Sequence, residues 1–147
     1  MRTNFNNQAK SITLIIAIII AMFSTASFAF SPEKDLTNQQ TFALQNEEKL
    51  ILIDVRTPDE WKKIGVAKGA ITLSMLDQQF LVELNEIRAK NPEKIIAFIC
   101  ASGNRSEVVR AELARRGYEN IYSVYGGTTG NGVTGWIKEG LPMEKYQ

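Results

Sequence analysis

The stretch Ile95-Ile96-Ala97-Phe98-Ile99-Cys100-Ala101-Ser102-Gly103-Asn104-Arg105-Ser106, which runs on through Val109 and Leu113 to Arg116 and Gly117, decides the fold. Five apolar residues without alternation read as a strand covered on both faces. A short turn holding Gly103 follows. A helix is then predicted from Ser106 to Arg116, with Val109 and Leu113 on one face. Glu107 early and Arg115 and Arg116 late suit its dipole, and Gly117 is a favoured terminator. The loop between strand and helix opens with the chain's single cysteine.

The same alternation extends in both directions. Thr37 is predicted to cap a helix from Asn38 to about Gln45, with Phe42 and Leu44 inward. Leu50-Ile51-Leu52-Ile53-Asp54-Val55 repeats the continuous apolar pattern of a buried parallel strand. Thr57-Pro58-Asp59 turns into a short helix carrying Glu60 and Trp61, and Gly69 to Leu73 reads as another strand. Phe80, Leu81, Leu84 and Ile87 form a helical face that ends near Lys90, before Pro92. Ile121 to Tyr125 is the last predicted strand, and Val133 to Lys138 is predicted to close the domain as a helix. Strands that alternate with helices imply an α/β domain with a mainly parallel sheet. Ligands of such sheets bind beyond the carboxyl ends of the strands. Asp54-Val55-Arg56, Cys100 and Gly126-Gly127 all fall at such ends, where one crevice can collect them.

The N-terminus is different material. Arg2 and Lys10 flank a polar start, Ile12 to Phe23 is almost wholly apolar, and Ser27-Phe28-Ala29 fits a small-x-small cleavage site. This is the layout of a secretory signal peptide over residues 1–29, with cleavage after Ala29 and a linker over residues 30–36 before the domain proper, residues 37–147. The alternative is an uncleaved anchor, because Ser11 to Phe30 carries no charge over 20 residues. Either way the domain is expected outside the cytoplasm, periplasmic or secreted, and at a membrane only if the segment is retained. The whole chain of 147 residues has 17 basic and 16 acidic residues, intermixed along the sequence. That balance argues against a nucleic-acid partner.

Export changes how the cysteine reads. Exported domains mostly use cysteines in disulfide pairs, and an unpaired one is either intermolecular or reactive. The bland alternative is a buried cysteine packing as a small hydrophobe. The Gly, Asn, Arg and Ser that follow Cys100 favour reactivity, because a helix N-terminus presents free N–H groups that stabilise a thiolate.

At this point the residues resemble a known family. Leu52-Ile53-Asp54-Val55-Arg56-Thr57-Pro58-Asp59-Glu60-Trp61 is similar to the opening signature of rhodanese-like domains, and Gly65 to Ile71 to their Gly-His-Ile-x-Gly-Ala-Ile stretch. Cys100-x-x-Gly103-x-Arg105-Ser106 resembles their active-site loop, and Gly117-Tyr118, Val124, Gly126-Gly127, Trp136 and Gly140-Leu141-Pro142 follow in the family's order. Two departures stand out. Val66 replaces the family's common histidine, in a chain with no histidine at all, and the run from Gly127 to Trp136 is longer than in many relatives.

The resemblance implies a three-layer α/β/α domain with about five mainly parallel strands. It also implies a sulfurtransferase that moves a sulfane sulfur from a small sulfur-containing anion such as thiosulfate, through a Cys100 persulfide, to an external thiol or cyanide. Backbone N–H groups from Ala101, Ser102, Gly103, Asn104, Arg105 and Ser106 would cradle the anionic sulfur. Asp54 and Arg56 would support the strand end as structural partners. Arg105 either faces the pocket or braces the loop by bonding backbone carbonyls and Asp54, with bracing the favoured reading. Ser106 either bonds the sulfur or caps the helix. Trp61 and Trp136 read as core aromatics. No cofactor is implied, and one Cys without His offers no metal site.

Three rivals set limits on this. A cysteine-dependent phosphatase loop has one more residue between Cys and Arg, and nothing in this loop clearly offers the general acid that chemistry needs. A cysteine protease lacks its histidine partner. A sulfur-carrier or binding module without turnover of its own remains open, since the loop alone does not exclude it.

Overall fold

The structure, a computed structural model, describes residues 35–147. The expected signal segment, its cleavage site and most of the 30–36 linker lie outside the described residues. Among the described residues, no helix is long and apolar enough to cross a membrane.

A five-stranded sheet, all parallel, is built from β1 (Asp35–Leu36), β2 (Leu50–Asp54), β4 (Ile71–Thr72), β5 (Ile95–Ile99) and β6 (Ile121–Val124), in the order β1-β6-β5-β2-β4. Four helices connect or flank them: α1 (Asn38–Asn46), α2 (Pro58–Ile64), α3 (Phe80–Lys90) and α4 (Asn104–Arg115). β5 lies at the centre, paired with β2 from Leu50↔Ile95 to Asp54↔Ile99 and with β6 from Ile96↔Ile121 to Phe98↔Ser123. Central placement explains why both strands read as unbroken apolar runs, since each face of the sheet is covered.

Alternate residues feed two cores. On one face Ile53, Val55, Ile96, Phe98 and Cys100 pack with Leu84 of α3 and Val109 and Leu113 of α4. On the other, Leu50, Leu52, Ala97, Ile99 and Val124 pack with Trp136, with Phe42 and Leu44 of α1 against them. The result is the expected three-layer α/β/α arrangement. Trp61 and Trp136 are both buried core aromatics.

Thr37 and Thr57 each form a reciprocal capping box, with Gln40 and Glu60 respectively, which fixes where α1 and α2 begin. Two local expectations are corrected, the linker and the closing helix. Asp35 and Leu36, assigned to the linker, pair with Ser123 and Val124 as an edge strand, because Leu36 has a buried seat in the second core. Val66–Ala67 forms β3 against Met143–Glu144, β7, in a separate antiparallel pair, which buries Val66. No helix forms over Val133 to Lys138. Its amides are engaged elsewhere: Trp136 N–H donates to Gly127 O (2.8 Å) and Ile137 N–H to Thr128 O (3.1 Å), so the chain doubles back instead of coiling.

Candidate active site

Cys100 is the first residue beyond β5, and the turn that follows aims its amides back at the sulfur. Gly103 N–H donates to Cys100 Sγ (3.2 Å), Ser106 N–H donates at 3.5 Å, and Ser106 Oγ lies at 3.6 Å, also within reach of Gly103 O (2.9 Å). Gly103 makes the turn possible. Its φ of 98° is left-handed, and a Cβ there would meet Gly126 N at 3.2 Å. This residue also moves the start of α4. The helix begins at Asn104, two residues before the expected Ser106, because Gly103 O already accepts Glu107 N–H (3.0 Å). Ser106 therefore sits inside the first turn, with its hydroxyl directed at the sulfur and the Gly103 carbonyl. It is not the cap.

The expected cradle of six amides is narrower than the sequence implied. The amides of Gly103 and Ser106 and the Ser106 hydroxyl bond Sγ, and the Arg105 side chain also interacts with Cys100. Ala101 contributes through its carbonyl, which accepts Thr129 N–H (2.9 Å), Gly130 N–H (3.1 Å) and Thr129 Oγ1 (2.9 Å). The Cys100 carbonyl accepts Thr128 N–H (2.7 Å). The glycine-rich run after β6 thus holds the two loop carbonyls from behind, so the following amides face the sulfur. Asn104 is exposed and Ser102 half-buried at the loop's outer side.

Arg105 does brace, but not to Asp54. Its Nη1 and Nη2 donate to Glu60 Oε2 (2.8 Å) and Oε1 (2.5 Å), tying the first turn of α4 to the start of α2. Those hydrogen bonds hold the Glu60 carboxyl well below the ordinary carboxylate range, at about 2, with further help from Thr57. The Arg105 guanidinium is pushed above its usual value, first by Glu60 and additionally by Cys100 beside it. Glu60 was absent from the residues expected at the site. The Thr57-x-x-Glu60 spacing marks it as a capping residue, yet nothing local announces a partner 45 residues away.

Asp54 and Arg56 form a wholly buried pair: Arg56 Nη2 donates to Asp54 Oδ2 (2.7 Å) and to Gly65 O (2.7 Å), and Nε donates to both carboxylate oxygens. By strand alternation Asp54 points to the sheet face opposite Cys100. The pair locks α2's end onto β2 and does not enter the crevice with the sulfur. Gly126 and Gly127 do join Cys100 there, through backbone.

Cys100 itself is 0% exposed. Apolar core lies on one side and hydrogen-bond donors on the other, an environment in which charge-assisted bonds to a sulfur anion are strong. A reactant reaches the sulfur only when covering groups shift. Between α3 and α4 a groove of about 330 Å³ is lined by Met75, Phe80, Val108 and Leu113 together with the charged Asp77, Glu112 and Arg116. Among the described residues no cluster of three or more His, Cys, Asp or Glu is placed to hold a metal ion.

A family model described as a Rhodanese-like domain matches residues 37–131. The chain is 34% identical over 100 residues to an uncharacterised protein of Rickettsia prowazekii, covering 63% of this chain and 81% of that one. It is 31% identical over 110 residues to the thiosulfate sulfurtransferase GlpE of Actinobacillus succinogenes, covering 75% and 89%. Among solved structures, Rv0390 from M. tuberculosis superposes with a TM-score of 0.62 at 26% identity, covering 76% of this chain and 97% of that one.

Proposed function

This chain belongs to the rhodanese-like domain family, and from that premise we propose that it is a sulfurtransferase carrying a sulfane sulfur as a persulfide on Cys100. In the first half-reaction the Cys100 thiolate attacks the outer sulfur of a donor such as thiosulfate. The Sγ–S bond forms as the donor's S–S bond breaks, and sulfite leaves with the electron pair. In the second, a thiolate or cyanide attacks the outer sulfur, forming its own S–S or C–S bond and returning the electron pair to Sγ. No net oxidation occurs, and the thiolate form of Cys100 is the attacking species in the first step.

The observation that carries this reading is the convergence of Gly103 N–H, Ser106 N–H and Ser106 Oγ on one sulfur atom. Donors so placed stabilise the negative charge on Sγ as the thiolate attacks the donor and as the electron pair returns to Sγ on discharge. Both Arg105 Nη atoms are held by Glu60, which disfavours the phosphatase alternative, whose oxyanion would need that guanidinium free. With one cysteine in the chain, the persulfide has no internal thiol to collapse onto, so discharge needs an external acceptor. The signal-like N-terminus supports a periplasmic or secreted setting for this exchange.

The complete coverage of Cys100 favours a second reading, a sulfur carrier opened only by a partner protein. Exposing the purified chain to thiosulfate and weighing it separates the two, since a self-sufficient enzyme gains about 32 Da at Cys100. It then loses that mass to cyanide and yields thiocyanate. Cys100→Ser should abolish both steps in a folded protein; retained turnover in that variant overturns the mechanism.

A further inference from the structure

Arg105 stands beside Cys100, yet both of its terminal nitrogens engage a single carboxylate, Nη1 with Glu60 Oε2 (2.8 Å) and Nη2 with Oε1 (2.5 Å). The same carboxylate accepts Thr57 N–H (3.1 Å) and Thr57 Oγ1 (3.0 Å), so it cannot swing away without opening the cap of α2. Attack on a sulfane sulfur has no use for a carboxylate at this place. A bare guanidinium there would attract a doubly charged donor and hold its oxyanion end. Glu60 cancels that charge and leaves the amides at Sγ untouched.

We propose that Glu60 is a specificity-determining residue: by engaging Arg105 it removes the net positive charge from the approach to Cys100, so that organic hydropersulfides with uncharged carrier groups are preferred over the thiosulfate dianion. The inference rests on the persulfide chemistry proposed above. With such a donor, R–S–SH, the Sγ–S bond forms as the R–S···S bond breaks. The carrier thiolate R–S⁻ takes the electron pair, and the proton stays on the transferred sulfur.

The test compares thiosulfate with an alkyl hydropersulfide on the full chain. In the native protein, hydropersulfide should have the higher kcat/KM. Raising salt from about 0.05 to about 0.5 M should alter the thiosulfate KM no more than the hydropersulfide KM, because no net charge is there to be screened. Glu60→Gln, which keeps a cap acceptor but frees the Arg105 charge, should lower the thiosulfate KM about three- to fivefold and make it salt-sensitive. The ratio of the thiosulfate KM to the hydropersulfide KM should fall by a similar factor. Adding Arg105→Gln to that variant should return the thiosulfate KM toward native.

A native thiosulfate KM that climbs steeply with salt overturns the proposal, and that arm needs no variant to fold. Equal changes for both donors in Glu60→Gln, or none, overturn it as well, leaving Glu60 a structural brace. Sulfur loading by both donors without the selectivity change defeats this inference alone. Loading of Cys100 by neither donor defeats the sulfurtransferase reading and the inference with it.

Discussion

Gly127 backs directly onto the carbonyl of Cys100: a Cβ at Gly127 would lie 2.5 Å from that oxygen and 2.6 Å from the oxygen of Ala101. Its φ of 60° is also left-handed. No side chain fits there without pushing the active-site turn away from β6 and rotating its amides off the sulfur. Gly127→Ala is expected to destabilise the fold by at least about 2 kcal/mol. It should also slow alkylation of Cys100 at neutral pH. Denaturant titration and iodoacetamide kinetics on the folded fraction check the two effects; unchanged alkylation would mean that the clasp does not orient the turn.

Thr129 contributes two of the three donors on the Ala101 carbonyl, its N–H and its Oγ1. Thr129→Val removes the hydroxyl and keeps the shape and both backbone bonds. The expected cost is about 0.5–1.5 kcal/mol, the net worth of one neutral hydrogen bond. Sulfur loading of Cys100 should fall modestly, and Thr129→Ser should restore it. Failure of the serine variant to rescue loading would assign the loss to packing instead.

Asp54 and Arg56 are both wholly buried, so each depends on the other. Asp54→Ala leaves a guanidinium in the core with only the Gly65 carbonyl and is expected to cost about 3–5 kcal/mol. Because the pair faces away from Cys100, its role is support. The surviving folded fraction should load sulfur at the native rate per folded molecule, as read by mass spectrometry beside circular dichroism.

Asp35 and Glu107 share the hydroxyl of Ser123, while Arg110 serves Glu107 (2.5 Å). Burial, with the Glu107 charge adding to it, pushes the Asp35 carboxyl above its ordinary 3.8 against the opposing Ser123 bond. A raised carboxyl favours the native state most when protonated, and that advantage is lost as pH rises through the elevated value. Asp35→Asn should therefore raise the melting temperature at neutral pH, by about 2 °C. The gain should shrink as pH falls toward 3.8. A melting temperature lowered at neutral pH would show that the carboxylate is a net anchor for β1.

Near-neighbour chemistry made much of this protein readable before any coordinates. The unbroken apolar runs at residues 50–53 and Ile95–Ile99 demanded a doubly covered parallel sheet. Thr37 and Thr57 announced helix starts through caps three residues long. Cys100 before a glycine turn and a helix placed a thiol under backbone amides, because amides one turn away have little choice of direction. α4 starts two residues before the position its local pattern suggests, since Gly103 O takes up the first helical bond, a carbonyl that sequence leaves anonymous.

Long-range choices were invisible for the converse reason. Whether Arg105 meets Asp54 or Glu60 depends on how α2 and α4 pack, and two carboxylates at comparable distance along the chain look equally suitable. The capture of Ala101 O by Thr129 spans 28 residues, and the doubling back of Trp136 onto Gly127 displaces a helix that local pattern favoured. The complete coverage of Cys100 likewise arises from several separate elements meeting. Periodicity and capping act within a turn or two of backbone, and residues far apart in the chain become partners only once burial of both sheet faces has brought their elements together.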